Sequence, residues 1–165
     1  MTEEADDRAR AIAVIDIDGV LADVRHRLHY LEGRKDLGGF FRAAPKDPLL
    51  EVGHDTVTKL AEVYEIVYLS GRPEFCRRDT ERWFAKHRLP PGELLLRPQR
   101  DMRPARMFKV EQLRRLQRRA PVAVLVDDDQ QVCDAAREAG FDVLPATWMG
   151  EAALLIEAQE EEGRT

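Results

Sequence analysis

Short apolar segments alternate with longer amphipathic segments along most of the chain. The apolar segments have lengths typical of buried strands and lie at residues 11–17, 64–69, 94–96, 122–126 and 141–144. The amphipathic segments show the helical spacing of apolar positions and lie at residues 36–44, 54–63, 73–88, 106–119 and 130–139. This alternation predicts an α/β fold of Rossmann-like topology, with a parallel sheet flanked by helices.

The length of the chain favours one domain. Its 165 residues, of which 44% are hydrophobic, are enough for one packed core but hardly for two. We expect residues 1–165 to form this domain around a core at residues 11–148. Residues 23–53 are the only sizeable insertion and are too short for a large lid, so we expect a minimal cap or none, and an open site. The Glu-rich tail at residues 150–165 is predicted to start as a helix and then to fray.

The net charge of −5 conceals an uneven distribution of charged residues. Residues 72–119 contain 15 Lys and Arg against 6 Asp and Glu, whereas the rest of the chain contains 11 against 25. One interpretation is a surface that attracts an extended polyanion, and the other is ordinary solvated helix faces. The sequence alone does not decide between them.

No segment of the sequence predicts membrane insertion or export. The apolar stretches are far shorter than the roughly 20 residues of a membrane-spanning helix. Residues 1–10 are acidic and polar and lack the apolar centre of a secretory signal. We therefore expect a cytoplasmic protein with no membrane partner, in which Cys76 and Cys133 are free thiols.

Polar residues directly follow three of the predicted strands. They are Asp16 and Asp18 after the first, Ser70, Gly71 and Arg72 after the second, and Asp127, Asp128 and Asp129 after the fourth. In parallel α/β sheets the active site lies beyond the carboxyl ends of the strands. These side chains are therefore expected to meet at one edge of the sheet.

Several carboxylates at one edge repel one another unless a positive charge offsets them. A bound Mg²⁺ ion, which prefers oxygen ligands, resolves that conflict, so the pattern predicts a metal site. Each motif alone also has a purely structural explanation. An Asp-x-Asp-Gly string is often a polar turn, Ser70 or the later aspartates could cap helices, and Lys109 could be a solvated charge.

The order of these motifs resembles the haloacid dehalogenase (HAD) superfamily over residues 11–145. That superfamily combines Asp-x-Asp-Gly, a Ser, a later Lys and paired acids in this order. Within it, the chain most resembles the 3'-phosphatase domain of bacteriophage polynucleotide kinase-phosphatase. The strings that carry the likeness are DIDGVLAD, RHRLH, YLSGR, a segment like RxxTxxW at residues 78–83, Lys109, and VLVDD followed by QQV.

The resemblance implies a Mg²⁺-dependent phosphatase that forms an aspartyl-phosphate. Asp16 would be the nucleophile, and Asp18 would protonate the leaving oxygen and then activate water. Ser70 and Lys109 would hold the phosphoryl oxygens. Asp127 and Asp128 would bind the metal with Asp16 and the backbone carbonyl of Asp18, and the sequence leaves open which of the two acids contacts it directly.

The resemblance also suggests contacts to the substrate. Gly71 belongs to the YLSGR string, and Arg27 and Arg72 occupy positions that contact the phosphate or the neighbouring nucleotide in the phage-like enzymes. Arg78 is a weaker candidate of the same kind. Surface ion pairing is the alternative for Arg27 and Arg78. His26 and His29, three residues apart, could likewise contact substrate or metal or simply lie on the surface.

The chain departs from the phage-like pattern at two positions and lacks a kinase motif. Ala105 stands where those enzymes usually have an acid, four residues before the motif lysine, which puts efficiency and substrate class in doubt. Val20 stands where many members have Thr. No G-x-x-x-x-G-K-[S/T] phosphate loop occurs, so a phosphatase without kinase activity is expected.

Three functions stay open at this point. The first is a phosphatase acting on a nucleic acid 3'-phosphate or nucleotide, as in repair of nucleic acid ends. The second is a phosphatase for a small metabolite such as a sugar phosphate or mononucleotide, towards which the acidic net charge points. The third is a catalytically silent HAD-like binding module, which only Ala105 favours. A dehalogenase is disfavoured because Asp18 and the acid cluster suit proton transfer and metal binding.

Overall fold

A five-stranded parallel sheet lies at the centre of the computed structural model, which describes residues 10–150, 153–161 and 163. The strands are β1 (Ile12–Ile15), β2 (Glu65–Pro73), β3 (Glu93–Arg97), β4 (Val122–Asp127) and β5 (Val143–Pro145). Their order in the sheet is β3-β2-β1-β4-β5, and every neighbouring pair is parallel. The predicted α/β fold with a parallel sheet is confirmed.

Within the described residues, six α-helices and three short 3-10 helices connect and cover the strands. The α-helices are α1 (Leu37–Arg42), α2 (Glu51–Val63), α3 (Arg77–Lys86), α4 (Ala105–Gln117), α5 (Gln130–Glu138) and α6 (Ala153–Glu160). The 3-10 helices are Arg25–Leu31, Ala44–Lys46 and Glu74–Cys76. In the part of the chain that the structure describes, no helix is both long enough and apolar enough to cross a bilayer.

The central strand β1 is apolar throughout because it is buried on both faces. Ala13 and Ile15 point to one core, which α2 and α3 cover with residues such as Trp83. Ile12 and Val14 point to the other core, which α4 and α5 cover with residues such as Phe108. The two helical layers hold β1 in place, so the residues that follow it have a defined position at the carboxyl edge.

The insertion at residues 23–53 forms a third apolar cluster with the C-terminal helix. The insertion contributes Val24, Phe40 and Phe41, and α6 contributes Leu155 and Ala158. The insertion adds no strand to the sheet within the described residues, in agreement with a minimal cap.

The predicted fraying of the Glu-rich tail does not begin before Glu160, where α6 ends in buried positions. The predictions for residues 1–9, and for 151–152, 162 and 164–165 of the tail, lie outside the described residues.

Among the element boundaries that differ from the sequence prediction, two lie at the end of β2. β2 runs on to Pro73 because, after a register shift, it pairs again with Arg97 of β3. Ser70, Gly71 and Arg72 therefore lie within the end of the strand, and α3 starts only at Arg77. The predicted end of α5 at Gly140 is confirmed, since this glycine has φ +91° and closes the helix in the left-handed conformation.

Candidate active site

Strand β1 delivers Asp16 and Asp18 to the carboxyl edge of the sheet, where both are only 1% exposed. The following turn needs a glycine. Gly19 has φ +81°, and a Cβ atom there would lie 2.1 Å from Asp128 Oδ2. Helix α2 packs closely against this turn, because a Cβ atom on Gly53 of α2 would lie 1.9 Å from the carbonyl oxygen of Val20. Trp148 Nε1 donates a hydrogen bond of 2.8 Å to the same carbonyl.

Lys109 forms ion pairs with one aspartate that follows β1 and with another that ends β4. This residue of α4 is fully buried, and its Nζ lies 3.1 Å from Asp16 Oδ1 and 2.6 Å from Asp127 Oδ2. Burial alone would lower the pKa of the Lys109 ammonium, but the charges of Asp127 and Asp16 outweigh it and raise that pKa. Lys109 is therefore a charged group in the interior and not a solvated surface residue.

Asp16, Asp127 and Asp128 form an acidic cluster in which one oxygen from each lies within 4.8 Å of the others. Burial raises the pKa of Asp16 to about 7 against the opposing charge of Lys109. Burial also raises the pKa of Asp128 well above its ordinary value, and the charges of Asp16 and Asp127 add to the rise. The charge of Lys109 alone therefore does not offset the negative charges of the three carboxylates in this cluster.

The donor atoms of this acidic cluster suit Mg²⁺. Asp16 Oδ2 and Asp128 Oδ1 are buried and have no hydrogen-bond partner among the described residues. Hydrogen-bonding partners are normally found for such atoms, so two orphaned oxygens facing one cluster indicate space for a cation. Oxygen donors from carboxylates are the protein ligands that Mg²⁺ prefers.

Asp18 faces two arginine side chains instead of the acidic cluster. Arg27 Nη2 donates to Asp18 Oδ1 at 2.9 Å, and Arg72 donates to the same oxygen from Nη2 at 2.5 Å and from Nε at 3.1 Å. Both arginines are buried, Arg27 completely. Arg27 therefore forms a buried ion pair with Asp18, the expected acid/base residue, and not the surface ion pair that was the alternative.

Asp47, which the sequence analysis missed, holds both arginines from the other side. Arg27 Nε and Nη2 donate to its two carboxylate oxygens at 2.7 Å each, and Arg72 Nη2 donates at 3.2 Å. His26 Nε2 also lies 2.6 Å from Asp47 Oδ1, whereas His29 stacks on Tyr30 outside this network. Asp47 follows a 3-10 helix in the insertion, so no strand end marked it in the sequence.

The RxxTxxW-like segment supports this network by residues other than its arginine. Thr80 accepts a hydrogen bond of 3.1 Å from Arg72 Nη1, and Trp83 Nε1 donates one of 2.9 Å to the carbonyl oxygen of Asp47. Arg78 is exposed at the start of α3 and makes no ion pair with a described residue. The structure thus does not bring Arg78 into contact with the buried site residues.

Ser70 and Gly71 line the same edge from β2. Ser70 is fully buried, and its Oγ accepts a hydrogen bond of 3.1 Å from the backbone N–H of Arg72. The carbonyl oxygen of Gly71 accepts from Arg97 Nε at 3.3 Å. Ala105, at the start of α4, is buried in the apolar cluster with Phe108, so no acid reaches Lys109 from that position.

A second buried acid pair lies behind the acidic cluster. Asp129 caps α5 by accepting a hydrogen bond from the backbone N–H of Gln131, and burial together with Glu160 raises its pKa to about 7. Glu160 of α6 also pairs with Arg106 at 2.5 Å. The sequence pattern could not predict this pair because Glu160 lies in a Glu-rich segment whose composition is typical of a solvated tail.

Comparison with known proteins agrees with this arrangement. Residues 10–147 match the family described as the polynucleotide kinase PNKP phosphatase domain. No significant match to a curated protein was found.

Among solved structures, the chain is similar to two from the Pnkp1/Rnl/Hen1 RNA repair complex. One is 28% identical with a TM-score of 0.68 over 83% of this chain, and the other is 30% identical with a TM-score of 0.66 over 85%. The chain spans only 42% and 47% of the lengths of these two proteins.

A more distant structure shares the fold. It is a HAD family enzyme from Bacteroides thetaiotaomicron in complex with magnesium and inorganic phosphate. It is 14% identical, with a TM-score of 0.51 over 83% of this chain and 94% of its own length.

Proposed function

Because this chain belongs to the family of polynucleotide kinase PNKP phosphatase domains, we propose that it hydrolyses phosphate monoesters by attack of Asp16 in the presence of Mg²⁺. One observation carries the proposal. Asp16 lies in one acidic cluster with Asp127 and Asp128, at ion-pairing distance from Lys109 and two residues before Asp18. Nucleophile, cation site and proton donor are thus adjacent, as a phosphoryl transfer requires.

Asp16 is prepared for attack by the way its two oxygens are held. Oδ1 accepts a hydrogen bond of 2.8 Å from the backbone N–H of Ile17 and faces Lys109, whereas Oδ2 has no hydrogen-bond partner among the described residues. A bond forms between a carboxylate oxygen of Asp16 and phosphorus while the ester bond breaks, and the leaving oxygen takes a proton from Asp18. Asp18 then takes a proton from water, whose oxygen attacks the aspartyl-phosphate and releases inorganic phosphate.

The carboxylates of Asp16, Asp127 and Asp128, with the backbone carbonyl of Asp18, would hold Mg²⁺. When bound, the ion neutralises the acidic cluster and the incoming phosphate, so that the two no longer repel each other. Lys109 supplies a fixed positive charge beside the reacting oxygen. The hydroxyl group of Ser70 lies at the same edge and can donate to a phosphoryl oxygen.

Arg27 and Arg72 must change partners for a phosphate to enter. Asp16 and Asp18 are almost fully buried, and both guanidinium groups now contact Asp18. A phosphate dianion offers these planar groups several acceptors at once, in place of one carboxylate oxygen. Transfer of the arginines from Asp18 to the phosphate would open the site and release Asp18 for proton transfer.

The substrate we propose is a nucleic acid 3'-phosphate. The similarity to proteins of an RNA repair complex and the basic character of residues 72–119 support it. The acidic net charge of −5 supports the second candidate, a small metabolite phosphate.

Release of phosphate from a panel of substrates, measured with Mg²⁺ and with EDTA, tests the proposal. The panel contains 3'-phosphorylated and 5'-phosphorylated oligonucleotides, mononucleotides and sugar phosphates. We expect the 3'-phosphorylated oligonucleotide to react fastest, only with Mg²⁺, and Asp16→Asn to lower its rate at least about a thousandfold. Preference for a small phosphate would favour the metabolite phosphatase, and equal rates for wild type and Asp16→Asn would favour a silent binding module.

A further inference from the structure

A small groove opens at the carboxyl edge of the sheet, beside the residues that follow β2. It has a volume of about 170 Å³ and is lined by Leu37, Gly38, Phe41, Pro73, Phe75 and Gln99. Sites for whole small molecules usually measure at least about 300 Å³, so this groove suits one planar group of a larger ligand. We call it the Phe75 groove.

Phe75 is unusual because a large aromatic side chain in a fixed position is 58% exposed. Its ring packs edge-on against Phe41 at 5.8 Å, and Phe41 packs edge-on against Phe40 at 5.4 Å. The guanidinium group of Arg27 lies 4.1 Å from the centre of the Phe40 ring. A continuous row of rings therefore leads from Arg27, beside Asp18, to the exposed face of Phe75.

The polar surroundings of the Phe75 groove suit a nucleic acid. Gln99 is exposed at its rim and carries an amide that can donate and accept, and Arg100 beside it is exposed and has no ion pair with a described residue. Two acids directly precede lining residues of the groove, and both have arginine partners: Glu74 pairs with Arg77, and Asp36 pairs with Arg42 at 3.9 Å. Phe75 thus lies in a neutral to positive environment, which a phosphate backbone can approach.

The Phe75 groove lies within reach of a substrate held at the active site. Phe75 is three residues beyond Arg72. Their Cα atoms therefore lie at most about 10 Å apart.

Resting on the function proposed above, we propose that Phe75 is a base-stacking residue for one of the last two nucleotides of a 3'-phosphorylated strand. Aromatic side chains stack on any base, so the contact would bind nucleic acid ends with little sequence preference. It would also explain how a phosphatase with a minimal cap distinguishes a polynucleotide end from a small phosphate ester.

The test compares wild type and Phe75→Ala on three substrates. They are a 3'-phosphorylated oligonucleotide, the same strand with abasic sugars at the last two positions, and p-nitrophenyl phosphate. We expect Phe75→Ala to lower kcat/KM about tenfold on the first, mainly through KM, and to leave the other two unchanged. Phe75→Trp is expected to keep the wild-type value.

Val63→Ala is a matched control. Val63 is 61% exposed at the end of α2, on the opposite edge of the sheet, and its truncation should not change any of the three rates. An equal loss on the intact and abasic strands, a similar loss on p-nitrophenyl phosphate, or no loss at all would overturn the stacking role. If wild type shows no preference for the 3'-phosphorylated strand over the small ester, the proposed substrate class itself fails, and the stacking role with it.

Discussion

At the active-site edge, individual carboxyl groups are buried close to one another, so that ionising them in the folded chain costs free energy. Asp16, Asp127 and Asp128 are packed together, and Lys109 is the one cation within ion-pairing distance of them among the described residues. Burial raises the pKa of Asp16 and of Asp129 to about 7 from an ordinary value of 3.8. Such groups bind a proton more tightly in the folded chain than in the unfolded chain.

The first prediction concerns pH and Mg²⁺. Because the folded state holds these protons between pH 3.8 and about 7 and the unfolded state does not, the free energy of unfolding without metal should fall as pH rises through that window. Mg²⁺ binds the ionised carboxylates of the folded state and should reverse this loss. Thermal denaturation should therefore show a larger increase in Tm with Mg²⁺ at about pH 7.5 than at about pH 5.5.

Two asparagine variants distinguish binding of Mg²⁺ at the acidic cluster from a general effect of removing one negative charge. Asp128→Asn should lose most of the increase in Tm that Mg²⁺ produces. Asp134→Asn, on the exposed face of α5, should keep it, because that side chain is 58% exposed and pairs only locally. An increase in Tm that is equal in both variants would place the ion elsewhere.

Asp47 is the positioning residue that the structure adds to the predicted set. Its carboxylate binds Arg27 and Arg72, and it is itself fixed by His26 and Trp83. Without it, two buried guanidinium groups would share the charge of Asp18 alone. In the proposed mechanism the arginines move between Asp18 and a phosphate, and Asp47 would keep them in reach of both.

We therefore predict that Asp47→Ala lowers both stability and kcat. The free energy of unfolding should fall by about 2–4 kcal/mol because buried positive charge loses a partner, and kcat for a chromogenic phosphate ester should fall about a hundredfold. Urea denaturation and steady-state kinetics measure the two effects. Asp23→Ala, which removes a surface pair with Arg25, should cost less than about 1 kcal/mol. Unchanged kcat in Asp47→Ala would contradict the positioning role.

At the scale of elements, strand ends were predictable from sequence and contacts from the insertion were not. Buried parallel strands are continuous apolar runs, so the apolar pattern alone was enough to place the residues after β1 and β4 at one edge. Asp47 lies between the short 3-10 helix Ala44–Lys46 and α2, in a stretch that has no periodicity to reveal its direction. The extension of β2 was missed because Gly71 and Pro73 are typical of turns, and only pairing with β3 keeps them in the strand.

The packing of α2 on the catalytic turn leads to a prediction for one glycine. A Cβ atom on Gly53 would lie 1.9 Å from the backbone oxygen of Val20, which cannot rotate away. Gly53→Ala should push α2 from the turn that carries Asp18, and lower the free energy of unfolding by about 1–3 kcal/mol together with kcat.

Gly38→Ala is the matched control for this change. Gly38 is also helical, but an added Cβ atom would first meet the movable end of Arg42, at 2.8 Å. The free energy of unfolding of Gly38→Ala should be unchanged or rise slightly, because alanine has the better helix propensity. A similar loss in both variants would show that close packing at Val20 is not the cause.

At the scale of the whole molecule, folding neutralises much of the basic segment at residues 72–119. Of its 15 basic residues, six have no ion pair with a described residue: Arg78, Lys86, Arg88, Arg100, Arg114 and Arg118. Arg78 and Arg100 follow the carboxyl ends of β2 and β3, whereas Lys86 is the last residue of α3 and Arg118 directly follows α4. The unpaired positive charge that could attract a polyanion is therefore smaller than the composition suggested.

This distribution predicts a moderate dependence on salt. With about two unpaired arginines near the site, kcat/KM for a 3'-phosphorylated oligonucleotide should fall about five- to tenfold between about 50 and 200 mM salt. The double variant Arg78→Ala and Arg100→Ala should depend clearly less on salt than wild type, whereas Lys86→Ala and Arg118→Ala should behave as wild type. A steeper fall that survives in the first double variant would locate the nucleic acid on another face.

The two tryptophans of the chain have positions that make them useful. Trp148 donates its indole N–H to the carbonyl of Val20 in the turn after β1, and Trp83 donates its own to the carbonyl of Asp47. Each indole is thus hydrogen-bonded to one of the two segments that flank Asp18 and its arginine partners. Movement of either segment when Mg²⁺ or a substrate binds should therefore change the intrinsic fluorescence of the unlabelled protein.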